Sequence, residues 1–249
     1  MRYLPFLSSV HERLQPERYL EVGIRNGNSL ALSKCRSVGI DPAFTITAEL
    51  DTHVSLFRTT SDEYFSRPAP LAGTGGEPFD LAFIDGMHLL EFALRDFINT
   101  ERNSRPTSVI VFDDVLPRTV DEAARERHTN AWTGDVYPVI DVLARYRPEV
   151  ATILVDTEPT GLFLVVGLDP SNTVLADNYR EIMSEYRHAD PQPVPDALLD
   201  RVAVQAPQRV LDAAFWKMLR EERTNRTGDD FNRRLRQQLA QDFGSRYEP

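Results

Sequence analysis

Lysine is almost absent from the chain: only Lys34 and Lys217 occur, and although arginine is plentiful the formal net charge is -10. A protein that grips phosphates needs clustered cations and a positive local field, so no nucleic-acid partner is expected and the substrate is expected to be small. Cysteine is scarcer still. Cys35 stands alone, which excludes an intramolecular disulfide and a cysteine metal site and leaves it as a small core residue without a role. No apolar run approaches the roughly 18 residues of a membrane helix. The opening segment MRYLPFLSSVHERLQPERYL has no basic stretch ahead of a continuous apolar one, being interrupted by His11, Glu12 and Arg13, so it does not read as a secretory leader. No membrane partner and a cytoplasmic location are the matching expectations.

What is present is ordinary for a water-soluble globular protein, with 41% hydrophobic and 27% charged residues over 249 positions. That length suits one elaborated domain, or one domain with a small appendage, and the second arrangement is favoured. Apolar residues at helical spacing (Leu4, Leu7, Val10, Leu14) predict a helix over 3–14, ended by Pro16. A strand over Tyr19–Val22 follows, then a helical pattern through Ser29–Leu32, a strand over Ser37–Ile40, a short helical linker and a strand over Val54–Phe57. Phe79–Ile84 and Val109–Phe112 have the continuous apolar character of buried parallel strands, with a helix over Leu89–Ile98 between them. Such alternation predicts an α/β fold, a Rossmann-like, doubly wound and mostly parallel sheet. Ala151–Val155 and Leu162–Val166, joined by the turn-forming Glu158-Pro159-Thr160-Gly161, predict a closing antiparallel hairpin.

The core domain is therefore expected to span 1–169. Beyond it, residues 170–249 form a C-terminal helical extension, first punctuated by Pro170, Pro191, Pro193, Pro195 and Pro207, then helical in pattern over 208–242. A solvated appendage, a lid over the site and a dimer contact all fit that composition. Gly73–Gly76 is expected to be a flexible surface loop, and no internal repeat is visible.

The first site signal is Glu21-Val22-Gly23-Ile24-Arg25-Asn26-Gly27-Asn28-Ser29, where a first strand turns toward a first helix. Glycines at that turn let backbone approach a ligand closely. The spacing is E-x-G-x-x-x-G, not the G-x-G-x-x-G that brings a pyrophosphate onto a helix N-terminus, which argues against a nucleotide-dependent oxidoreductase. Glu21 would repel a phosphate but can accept a hydrogen bond from a cationic amine. Asp41 ends the second strand twenty residues after Glu21, and is placed to accept both hydroxyls of a ribose; its plainer reading is a turn aspartate.

Together with Phe79-Asp80-Leu81-Ala82-Phe83-Ile84-Asp85-Gly86, these segments resemble the class I methyltransferases that use S-adenosylmethionine. The likeness spans about residues 15–168 and is strongest to the branch of catechol-type, caffeoyl-coenzyme A and macrolide-sugar O-methyltransferases. It implies S-adenosylmethionine as cofactor, with Glu21, Gly23, Gly27 and Ser29 about its methionine moiety and Asp41 on its ribose. It also places Thr60 and Ser61 toward the adenine, where the family usually has Gly-Asp-Ser and this chain has Thr59-Thr60-Ser61. Asp85 counts among the cofactor contacts as well.

Asp85 follows the fourth of these strands and Asp113-Asp114 the fifth, so three carboxylates converge at the carboxyl edge, where open α/β sheets place their sites. Hard oxygen ligands suit Mg²⁺ or another divalent cation, Mn²⁺ or Ca²⁺. The resemblance assigns that role to the same three residues, while acids here also hold adenine or cap helices in metal-free relatives. His88, three residues after Asp85, is a candidate general base for removing the proton from an acceptor hydroxyl. Its alternatives are a cap for the helix starting at Leu89 and a further metal ligand. Ala131–Tyr137 is expected to begin the next helix, with Thr133 as its N-cap and Trp132 and Tyr137 either core or substrate wall, and His53 and His128 are expected on the surface. The expected activity is methyl transfer to a hydroxyl of a small molecule, a sugar or natural product, with metal assistance. Its alternatives are metal-independent N- or O-methylation, an oxidoreductase, and a non-catalytic module.

Overall fold

The sheet that this alternation predicts is present in the computed structural model, which describes residues 1–224 and 230–248. Seven strands run in the order β3-β2-β1-β4-β5-β7-β6: β1 Arg18–Val22, β2 Arg36–Ile40, β3 Val54–Phe57, β4 Phe79–Ile84, β5 Ser104–Phe112, β6 Ala151–Val155 and β7 Leu162–Val166. The first five are mutually parallel. β7 pairs antiparallel with both β5 and β6, so the predicted hairpin closes the sheet at one edge.

Period-2 alternation sorts the strand side chains onto two cores. Ala82, Ile84, Ile110, Phe112, Phe163 and Val165 face one of them. They are covered by α2 Ser61–Phe65, α3 Leu90–Arg102, α4 Val139–Tyr146, α5 Val174–Asp177, α6 Tyr179–Tyr186 and α7 Asp196–Leu199. Leu81, Phe83, Val109, Val111, Leu162 and Leu164 face the other, beneath α1 Tyr3–Leu14, α8 Pro207–Leu211, α9 Phe215–Thr224 and α10 Phe231–Phe243. Within the 208–242 stretch the described residues are thus helical at 208–211, 215–224 and 231–242, residues 225–229 lying outside the described ones, and its apolar side chains share one core with α1 and β5. No helix among the described residues is long and apolar enough to cross a membrane.

Several local expectations are corrected. The segment between β2 and β3 contains no helix. Its backbone donors go instead to the glycine-rich loop, Thr45 N to Arg25 O and Thr47 N to Asn26 O. The helical pattern at Ser29–Leu32 yields only one 3-10 turn, Leu30–Leu32, because β2 begins four residues later. Gly73–Gly76 is an ordered turn rather than a flexible loop. A 3-10 helix over Ala72–Thr74 presses Gly73 so close to β2 that a Cβ there would stand 2.8 Å from Val38. Thr133 does not cap α4, whose N-cap is Pro138. Its buried hydroxyl donates to the carbonyls of Glu122 and Gly134 instead. The proline-punctuated stretch, in which no strand is expected, carries α5, α6 and α7.

Candidate functional site

The carboxyl ends of β1, β2, β4 and β5 meet in one place, and backbone geometry explains why glycine stands there. Gly23 has φ +87, and a Cβ on it would lie 1.8 Å from the carbonyl oxygen of Asp85, so only glycine lets the β1 and β4 ends approach this closely. Gly27, φ +83, closes the loop by donating its N–H to Ile24 O at 2.7 Å. Asp41 reaches across from β2: one carboxylate oxygen accepts Arg25 N at 2.8 Å and the other Ala43 N at 2.6 Å. The loop is thereby fixed to the end of β2.

Glu21 lies beneath this loop, fully buried. Its two oxygens accept from Ser29 Oγ at 2.6 Å and Tyr19 Oη at 2.7 Å. Burial pushes its carboxyl up to about 8, against the two hydroxyl donors that favour the ionised form. Ser29 is buried with it. Thr60 and Ser61 stand at the end of β3: the Thr60 hydroxyl caps α2 by accepting Glu63 N at 3.2 Å, and Ser61 hydrogen-bonds the buried carboxyl of Asp96 on α3.

Three side chains at the ends of β4 and β5 form the tightest group. Asp85, His88 and Asp114 each offer a ligand atom, all within 4.8 Å of one another. His88 is held between the two acids, Nε2 at 3.1 Å from Asp85 Oδ1 and Nδ1 at 2.9 Å from Asp114 Oδ2. Nδ1 also lies 3.1 Å from Trp132 O. Burial alone would lower the imidazole, but the hydrogen bonds and charges of Asp114 and Asp85 override it and raise it to about 11. Burial raises Asp85 to about 6, opposed by the His88 hydrogen bond and assisted by the Asp114 charge.

Asp113 adjoins the group without joining it. Its Oδ1 accepts Asp114 N at 2.9 Å, and burial, then the charges of Asp114 and Asp85, push its carboxyl well up. The structure thus unites Asp85 and Asp114 with His88 rather than with Asp113. His88 and Asp114 both have positive φ, 53 and 59, a conformation that non-glycine residues adopt only where their surroundings impose it.

Two residues that support the site carried little sequence signal. Asp135 accepts Leu90 N at 3.1 Å, so it, not His88, bonds the first turn of α3. Arg125 in turn ion-pairs with Asp135 and Glu91. Trp132 lies flat on His88, ring centroids 5.1 Å apart and planes 8° apart, while Tyr137 is core. Asp96 did leave a signal. It sits three residues after buried Ala93 on the core face of α3, where an acid is out of place. His53 and His128 are exposed and Cys35 is half-buried.

Set beside known proteins, residues 20–115 match the family model described as a methyltransferase domain. No curated protein matches the chain. Among solved structures it is similar to a putative O-methyltransferase from Klebsiella pneumoniae, at 18% identity and TM-score 0.50, over 67% of this chain and 80% of that one. It is also similar to the O-methyltransferase TomG from Streptomyces achromogenes, involved in tomaymycin synthesis and solved with S-adenosylmethionine. There the identity is 24% and the TM-score 0.49, over 66% and 79% of the chains. An O-methyltransferase from Bacillus cereus solved with S-adenosylhomocysteine aligns at 18% identity and TM-score 0.47, over 67% and 80%. The fold is the Rossmann-like fold of the class I methyltransferases.

Proposed function

We propose that this chain, whose residues 20–115 match a methyltransferase domain, transfers a methyl group from S-adenosylmethionine to a hydroxyl of a small molecule, a sugar or another natural product. The observation that carries this reading is the placement of the Asp85, His88 and Asp114 group beside the Gly23–Gly27 loop and Asp41 at one sheet edge. The cofactor would supply an electrophilic methyl group. Gly23 and Gly27 leave room for its methionine end, and Asp41 takes the ribose hydroxyls in place of, or beside, its present bonds to Arg25 N and Ala43 N. Glu21 acts from below. With both oxygens engaged by Tyr19 and Ser29, it holds the loop's shape, and a cationic ligand bound above it would favour its ionised form.

The donor set suits a divalent cation: two acids and an imidazole converge within 4.8 Å, and two carboxylates at that range need a counter-charge, which His88 supplies here. Asp85 and Asp114 would hold such an ion, with Asp113 beside them and His88 as a further donor. An ion there would lower the pKa of a neighbouring hydroxyl. In its present seat His88 holds its proton firmly. It serves as a base only when the two carboxylates are engaged elsewhere, and otherwise it is their counter-ion.

Transfer of label from methyl-labelled S-adenosylmethionine to a panel of sugar and phenolic acceptors, with and without prior chelation, tests both parts. Labelled product that disappears after chelation and returns with Mg²⁺ is the expected result. Turnover undiminished in metal-free protein overturns the cation, and no label transfer to any hydroxyl alongside transfer to amines overturns the O-methyltransferase reading. Metal-independent methylation is the alternative that His88 favours, since it already neutralises the acid pair without an ion.

A further inference from the structure

Tyr3, the first residue of α1, carries a hydroxyl with no hydrogen-bond partner among the described residues. Its backbone is nonetheless pinned. Tyr3 N donates to Glu158 O at 3.1 Å, and Glu158 N to Met1 O at 2.9 Å, so the turn between β6 and β7 fixes where α1 begins. The half-buried phenol ring stacks on Phe83 of β4, centroids 6.3 Å apart and planes 21° apart.

Strand alternation says what that hydroxyl faces. Phe83 pairs in register with Glu21 on β1 and with Val111 on β5, and Phe83 and Val111 both look toward the core that α1 covers. Asp85 and Asp113 come two residues after them, next in the same alternation just past the strand ends. Burial first, then the charges of Asp113, Asp85, Glu21 and Asp114, push the phenol up to about 12. Tyr3 therefore keeps its proton at neutral pH and remains a donor.

Sheet order divides the ligands along this edge. In β2-β1-β4-β5, Asp41 stands at one end, the Gly23–Gly27 loop comes next, and Asp113 stands at the other end. A cofactor whose ribose meets Asp41 and whose methionine end meets the loop covers β2 and β1. The ends of β4 and β5, beneath Tyr3, are left to the molecule that receives the methyl group. The hydroxyl to be methylated must lose its proton, so its partners are groups that can take one. A protonated phenol cannot, but it can donate to an oxygen that stays unmethylated.

We propose that Tyr3 is a specificity-determining residue of the acceptor site, its hydroxyl donating to a second oxygen of a polyoxygenated acceptor. This rests on the methyl-transfer reading above.

The test compares wild type with Tyr3→Phe, which keeps the ring on Phe83 and removes only the hydroxyl. The probes are paired acceptors that do and do not carry a second oxygen, dihydroxybenzenes against phenol and methyl glucosides against their monodeoxy analogues. Label transfer from methyl-labelled S-adenosylmethionine gives kcat and KM. For the doubly oxygenated acceptors that the wild type methylates, Tyr3→Phe is expected to raise KM about three- to tenfold and to leave the KM of the partner lacking that oxygen unchanged. S-adenosylhomocysteine affinity, read by calorimetry, is expected to stay within about twofold. An unchanged KM for every acceptor overturns the proposal, as does an equal rise for both members of each pair, which a packing role would produce. A fall in S-adenosylhomocysteine affinity matching the change in KM assigns the hydroxyl to the cofactor and also overturns it. No label transfer by the wild type to any hydroxyl overturns instead the underlying O-methyltransferase reading.

Discussion

Gly134 and His88 pack so tightly that a Cβ on the glycine would stand 1.7 Å from the His88 carbonyl oxygen. The glycine also has φ +57, and His88 itself has φ 53. One loop thus holds the other in a left-handed turn, and the imidazole is aimed between Asp85 and Asp114 by that contact and by the flat indole of Trp132. Gly134→Ala must move one loop or the other. A displacement near 1 Å is enough to cost about 10²-fold in rate. We expect kcat to fall by about that factor while S-adenosylhomocysteine affinity, set by contacts at Gly23, Gly27 and Asp41 rather than by Gly134, stays within about twofold. Steady-state kinetics with parallel calorimetry checks this, and a variant with wild-type kcat would show that His88 need not be held.

Glu21 makes the protein sensitive to alkali. Its carboxyl is raised from an ordinary 4.5 to about 8, so the folded state binds the proton more tightly than the unfolded chain. Stability from this group is greatest below pH 4.5 and is lost as pH rises through 8. Asp85, Asp96 and Asp113 are also raised and add to the decline, so the informative quantity is the difference between wild type and Glu21→Gln. Urea unfolding at pH 5 and pH 8.5 should show the wild type losing more stability than the variant, by an amount on the order of a few kcal/mol. Identical losses would mean that Glu21 titrates normally.

The described helices beyond residue 205 pack into the core. α8, α9 and α10 bury nine apolar side chains, among them Phe215, Trp216, Leu235 and Phe243. At about 1.5–3 kcal/mol each their loss rivals or exceeds the roughly 5–15 kcal/mol by which a domain is stable. Truncation after residue 205 should therefore give aggregated or unfolded protein, read by circular dichroism and gel filtration. A soluble, cooperatively melting truncated chain would contradict this.

Much of that architecture was legible in the sequence, and what was not has physical causes. Phe79–Ile84 and the hairpin strands Ala151–Val155 and Leu162–Val166 appear at their expected limits, because a continuous apolar run bounded by turn residues has few alternatives. The Gly23 turn, Asp41 and the acids after β4 and β5 were visible because each sits at a strand end, where the topology forces them together. The grouping of Asp85 and Asp114 with His88 rather than Asp113 was not visible. It goes with the positive φ values of His88 and Asp114, which leave no trace in residue spacing. Asp135, forty-five residues from the Leu90 N–H that it accepts, belongs to a loop without periodicity. The helices of 170–249 were foreseen in part, but amphipathic pattern says which face is apolar and not which surface it meets.

The central claim is that the sheet edge bearing Gly23, Gly27 and Asp41 is an S-adenosylmethionine site, and its most direct test is calorimetric titration of the wild-type protein and Asp41→Ala with S-adenosylhomocysteine. Asp41 is expected to contribute charge-assisted hydrogen bonds to both ribose hydroxyls. The account predicts saturable binding to the wild type at one site per chain and an affinity at least about tenfold lower for Asp41→Ala. Absence of heat with the wild type, together with saturable binding of a nicotinamide dinucleotide in the same experiment, would contradict it.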